Sequence, residues 1–195
     1  MGKYIIDLKN NAGCALSISG GKGANLSRLH KIPGIPVPDG FVVSAQSYSD
    51  LVLSRPEVRD LLFRLTAIAP DQTEAISQLS KEIREEIEKF SFPAEFVEEI
   101  SKALSRHGDL FPYAVRSSAT AEDLPGASFA GQQDTFLNVS GLQNICAAIV
   151  KCWASLFNER AIAYRIKNGF PHDNSRVYRR KGVHKVFLDV LLRCL

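Results

Sequence analysis

The strongest constraint on the fold of this chain is the stretch from residue 56 to residue 107, which carries helical periodicity throughout and is broken only at Pro70 and Pro93. Ile76, Leu79, Ile83, Ile87 and Phe90 recur every three or four residues with Glu and Lys between them, so one face is apolar and the other solvated. Pro93 suits the first turn of a following helix that carries Phe96, Val97, Ile100 and Leu104 and closes near Gly108. The charge runs "KEIREEIEK" and "EFVEE" then read as solvated faces with i,i+4 pairing. Half-apolar helices of this kind need a partner surface, which the rest of the chain has to supply.

Extended segments supply it. A short apolar start, Tyr4 to Leu8, is followed by "SISGGKGANLSRLHKI", where glycines give way to Leu26 and Leu29 at helical spacing; this reads as a Gly-rich loop opening a helix. Residues 33 to 40 hold three prolines and two glycines and lead into the β-branched pair Val42 and Val43, an extended loop entering a buried strand. Ser44 or Ser47 is placed to cap a helix with Tyr48, Leu51 and Val52. "FPYAVRSSA" reads as a strand and "SFAGQQDTFLNV" as two short extended pieces around Gly131. Ser140 is placed to cap one long helix whose stripe is Leu142, Ile145, Ile149, Trp153, Leu156 and Phe157, with Gly169 as its stop. The chain thus reads as a mixture of helices and short extended segments.

Composition narrows the class. With 195 residues and 45% apolar content the chain can bury a real core. No run approaches the roughly 20 apolar residues a membrane span needs, and the start lacks a secretory pattern, so the expected location is cytoplasmic and no membrane partner is expected. Ile6 stands where a myristoylation signal needs Ser or Thr. The cysteines Cys14, Cys146, Cys152 and Cys194 form no CxxC or Cys/His cluster, so they read as reduced thiols and no metal ligands are assigned. Residues 174–195 hold six Lys and Arg against one acid, a net +5, and the preceding 173 residues hold 18 basic against 20 acidic, a net −2. A solvated basic tail is favoured there over a nucleic-acid or membrane patch, although "VFLDVLLRCL" has the makings of a short apolar helix.

Two elements suit an anion. Gly20, Gly21, Lys22 and Gly23 at a helix opening would offer unobstructed amides, a positive helix end and an ammonium; otherwise they are an exposed turn with a solvated lysine. The pattern is not a Walker A loop, because Leu16 occupies the first glycine position and Gly23 follows the lysine. Arg116, at the end of an apolar strand beside Ser117 and Ser118, can grip a phosphate bidentately; otherwise it is a surface arginine, or is paired with Glu122 or Asp123. "PGASFAGQQDTF" would be a glycine-hinged loop able to close over polyphosphate, or an ordinary hairpin with Gly131 at its turn.

The motifs "SGGKGANLSRL", "IPVPDGFVVSAQSY", "AVRSSATAEDLPGASFAGQQDTFLNV" and "CWASLFNERAIAYR" occur in an order that resembles the N-terminal nucleotide-binding domain of the phosphoenolpyruvate synthase, pyruvate phosphate dikinase and rifampicin phosphotransferase family, from about residue 16 to 172. The loop "FAGQQDTF" is similar to the synthase and rifampicin-phosphotransferase branch and differs from the Met-rich dikinase version. The resemblance implies an ATP-grasp-like fold with ATP held between two α+β lobes and Mg²⁺ bridging the phosphates. It further implies transfer from ATP to a histidine on a swivelling domain, with release of AMP, and then to pyruvate or another acceptor. By that resemblance Lys22 and Arg116 contact phosphate, and Gly131, Thr135 and Phe136 are loop positions that contact nucleotide.

After "YRIKNGFPHD" the likeness stops, giving an expected division into a partial ATP-binding domain at 1–173, with a helical insertion at about 56–107, and a non-matching basic tail at 174–195. The family's second lobe, its metal-binding Glu, its Gln-x-Arg motif and its phosphohistidine and acceptor domains find no match. His30, His107, His172 and His184 read as surface or capping residues, and no catalytic residue is assigned. The expectation is a truncated, ATP-binding part of a phosphotransferase, inactive alone, with a lobe edge open to self-association; the alternative is a binding fragment without turnover. Pyruvate or another acceptor would be reached only through the missing domains, and no nucleic-acid partner is expected.

Overall fold

The computed structural model describes residues 2–10, 16–119, 134–170, 172 and 186–193. Five described strands, β1 (Ile5–Asp7), β2 (Gly40–Val43), β3 (Tyr113–Ala119), β4 (Thr135–Val139) and β5 (Val186–Arg193), form one antiparallel sheet in the order β1-β2-β5-β3-β4. Helix α1 (Leu16–Leu29) lies against β2, β3 and β5, with Leu26 packed on a small cluster of Leu8, Val42 and Ala45. The alternation of a strand sends Val42 to that face and Phe41 and Val43 to the other. There Phe41, Val43, Tyr113 and Val115 join the main core with the remaining helices.

Those helices are α2 (Ala45–Tyr48), continued by a π-helical turn at Ser49–Leu53, then α3 (Pro56–Thr66), α4 (Thr73–Glu88), α5 (Ala94–His107), α6 (Leu142–Ser155) and α7 (Glu159–Lys167). The architecture is α+β, as the resemblance implies. The breaks near Pro70 and Pro93 fall between α3, α4 and α5, with Pro93 at the N-cap of α5. Ile76, Leu79, Ile83 and Ile87 of α4 and Phe96, Ile100 and Leu104 of α5 are buried in the same cluster as the sheet. Trp153 of α6 is its centre, packing edge-on to Tyr48 at 5.6 Å and Phe92 at 5.3 Å between ring centroids.

Four expectations change. The single long helix is two, α6 and α7, because Asn158 caps α7 by accepting from Ala161 N at 2.8 Å, while Ser80 Oγ donates to the Phe157 carbonyl at 2.7 Å. Gly141, not Ser140, is the N-cap of α6. Residues 186–193, expected within a solvated basic tail, form the central strand β5, paired with β2 on one side and β3 on the other. His107 is buried rather than on the surface, stacked on Phe41 with ring centroids 6.0 Å apart and with Nε2 3.0 Å from Asp7 Oδ2.

The sheet edges differ. At β1 the Glu99 carboxylate accepts from the amides of Lys3, Tyr4 and Ile5 at 2.8, 3.0 and 3.0 Å, which blocks that edge against further pairing. At β4 the pairing with β3 slips by one residue between Tyr113 and Val115, and Asn138 adopts φ 55° within the irregularity, as a β-bulge does.

Candidate functional site

The strand register aligns the sequence-predicted residues. Val42 pairs with Val190, Val190 with Arg116 and Arg116 with Thr135, so these positions form one row across β2, β5, β3 and β4. Directly opposed residues share a face, and Val42 lies on the face covered by α1. Arg116 and Thr135 therefore lie on the α1 side of the sheet, and both are exposed. On α1, Lys22 is partly buried and its Nζ donates to the Ser117 carbonyl at 3.0 Å, one residue beyond Arg116. An ammonium from α1, a guanidinium from β3 and a hydroxyl from β4 are thus assembled from three elements, the first of them far from the other two in sequence. Among the described residues Arg116 makes no ion pair; Glu122 and Asp123, the partners considered for it, lie outside the described residues.

The next row pairs Val115 with Phe136 and faces the opposite way. Phe136 is partly buried against the main core, so the sheet does not bring it to the face of Lys22 and Arg116. Gly131 lies outside the described residues, as does most of the glycine-hinged loop.

The glycine cradle is corrected. Gly20 to Gly23 sit inside α1, so their amides follow the helical pattern and do not form an open loop around an anion. The reason for one of these glycines is packing: a Cβ at Gly23 would stand 2.9 Å from Ser19 Cβ and 3.3 Å from Val42 Cγ2. Close approach of α1 to β2 leaves little room for a side chain at this point, and Lys22 is the residue next to it.

Behind the row, α6 holds the β3–β4 pair. Asp134 N donates to Ser155 Oγ at 3.3 Å, and Cys152 Sγ lies 3.8 Å from the Val115 carbonyl. Sequence reasoning missed Ser155; its only signal is a small polar residue on a helix face that is otherwise apolar. Cys152 is buried and Cys146 partly so, with burial pushing the Cys146 thiol up to about 11, as suits packing roles and not thiolate chemistry.

A cavity of about 560 Å³ opens elsewhere, between β1 and α5, lined by Lys3, Asp7, Glu95, Glu99, Arg106 and His107 among others. It lies at the sheet edge remote from Thr135, and its acids and bases are mixed, so it does not offer the positive face that Lys22 and Arg116 do. Among the described residues no group of three or more His, Cys, Asp or Glu is placed to hold a metal, and no helix is long and apolar enough to cross a membrane.

Comparison with known proteins agrees with the motif order. The family model described as "Pyruvate phosphate dikinase, AMP/ATP-binding domain" matches residues 16–177. A rifampicin phosphotransferase of Streptomyces sviceus is 48% identical over 167 residues, covering 86% of this chain and 19% of that protein. One from Bacillus cereus is 46% identical over 173 residues, covering 89% of this chain and 20% of the relative. A probable phosphoenolpyruvate synthase of Archaeoglobus fulgidus is 44% identical over 175 residues, covering 88% of this chain and 23% of the relative. The chain spans about a fifth of the length of these curated relatives. From the family match over residues 16–177 and these identities, the chain belongs to the pyruvate phosphate dikinase AMP/ATP-binding domain family.

Proposed function

We propose that this chain binds ATP as the first lobe of an ATP-grasp-like site, with Lys22 and Arg116 holding phosphate oxygens and Thr135 adding a hydroxyl. The observation that carries the reading is the placement of Arg116 and Thr135 opposite one another on the α1 face, with the Lys22 ammonium one residue away. Phosphoryl groups carry their charge on peripheral oxygens, and catalysis of their transfer rests on positioning and on fixed positive charge. Arg116 supplies a planar fork suited to two oxygens of one phosphate, whereas Lys22 supplies a point charge.

In this reading the lobe binds and orients the nucleotide, and residues outside this chain complete the reaction, which runs from ATP to a histidine and from there to pyruvate or another acceptor. Support comes from the family and from the names of the relatives, rifampicin phosphotransferase and probable phosphoenolpyruvate synthase. The described residues offer no cluster fit to hold Mg²⁺, so no step by this chain is routed through the ion.

The consequence is binding without turnover. Labelled ATP incubated with Mg²⁺, pyruvate and the purified 195-residue chain is expected to be retained on the protein and recovered intact. Steady release of AMP that disappears in Lys22→Ala would contradict the proposal that the chain is inactive alone. Failure to retain ATP at all would contradict the binding claim itself.

A further inference from the structure

We propose that Ser155 of α6 is a positioning residue for the Arg116–Thr135 pair, an inference that rests on the nucleotide reading above. Ser155 is buried, yet alanine at such a helix position would form helix better and leave no hydroxyl to desolvate. A serine is therefore costly there unless its oxygen is used. The hydroxyl donates to the Cys152 carbonyl at 2.8 Å, which spends its one hydrogen and fixes the rotamer. The oxygen is then an acceptor, and it receives the Asp134 amide at 3.3 Å.

Asp134 directly precedes Thr135, which pairs with Arg116. One turn earlier on α6, Cys152 Sγ lies 3.8 Å from the Val115 carbonyl and 4.0 Å from the Asp134 carbonyl. Two buried side chains of one helix thus hold both strands at the residues just before Arg116 and Thr135. They reach the backbone from the face away from α1, so Ser155 cannot touch a nucleotide bound beside Lys22. It acts by fixing where the Thr135 backbone, and with it the Thr135 hydroxyl, stands relative to the guanidinium. Helix α6 is a firm base for this, because Trp153 beside these residues is buried at the centre of the core.

The test uses Ser155→Ala in the whole chain, with Ser155→Thr as the variant that keeps the hydroxyl. Amide hydrogen exchange reports the anchor, and titration with Mg·ATP reports the site, each in wild-type and Arg116→Ala backgrounds. Ser155→Ala is expected to speed exchange at Asp134 and to weaken Mg·ATP about fivefold, the equivalent of one ordinary hydrogen bond. In the Arg116→Ala background the further loss should shrink towards none, since the positioned partner is gone. Ser155→Thr should restore slow exchange and most of the affinity.

Unchanged affinity in Ser155→Ala despite fast exchange at Asp134 would overturn the inference. So would an equal fold loss in both backgrounds, which is the mark of general destabilisation. A wild-type chain that binds no nucleotide is a different result, because it removes the nucleotide reading itself and this inference with it.

Discussion

At Gly23 one methyl group decides how close helix α1 comes to the sheet. Alanine is the better helix former by about 1 kcal/mol, so a Gly23→Ala change would stabilise an isolated helix. In the folded chain the new Cβ would meet Ser19 Cβ at 2.9 Å and Val42 Cγ2 at 3.3 Å, and Val42 is buried. Overpacking of this kind costs about 1–3 kcal/mol, which equals or exceeds the propensity gain. Gly23→Ala should therefore lower the thermal midpoint, and a midpoint equal to or above wild type would show that α1 has room to spare. Sequence alone identified the glycines but gave them the wrong task, because "SGGKG" reads the same whether its amides face an anion or its missing side chains admit a neighbour. Val42, the neighbour that decides between the two, is supplied only by the fold. Arg116 and Thr135 were legible as a motif, whereas Ser155 was not, since its partner at Asp134 is set by tertiary packing.

Among the elements, α3 and α4 are joined by a charged clamp that makes a pH prediction. Arg55 Nη1 donates to the Glu86 backbone carbonyl at 3.1 Å, its Nη2 pairs with the Glu86 carboxylate, and Lys89 Nζ donates to the same carboxylate at 3.0 Å. The hydrogen bond from Lys89, helped by the attraction of Lys89 and Arg55 and opposed by burial, holds the Glu86 carboxyl below its usual 4.5. A carboxyl lowered on folding stabilises the fold above its unfolded pKa, and that contribution is lost as pH falls through the folded value. Glu86→Gln should cost about 1 kcal/mol at neutral pH, and the gap between variant and wild type should close as pH drops below 4.5. A gap that stays constant down to pH 3 would show that the carboxylate charge is not the cause. The same scale shows where periodicity misleads. The apolar stripe runs through Trp153, Leu156 and Phe157 without a gap, so one helix is the natural reading. The break depends on Ser80 meeting the Phe157 carbonyl across 77 residues of sequence, and only Asn158 marked it locally.

For the whole molecule, the α+β class followed from the resemblance of the motifs to a known family, but the sheet order could not be read from the sequence. Strand β5 comes from the segment that looked least like the rest, basic at its start and beyond the family match at 177, yet it lies between β2 and β3. Its "VFLDVLLR" is an apolar run too short for periodicity to separate helix from strand, and pairing on both sides is what makes it a strand. That position completes the row from Val42 through Val190 to Arg116 and Thr135, so the proposed site depends on long-range order as well as on its own motif. The central claim is that this row, with Lys22 beside it, grips the phosphates of ATP. Calorimetric titration of wild type, Lys22→Ala and Arg116→Ala with Mg·ATP tests it most directly. Saturable binding by wild type is predicted, with affinity reduced about tenfold or more in Arg116→Ala, as loss of a charge-assisted pair of hydrogen bonds requires. Equal affinity in all three proteins, or no saturable binding by wild type, would contradict the account.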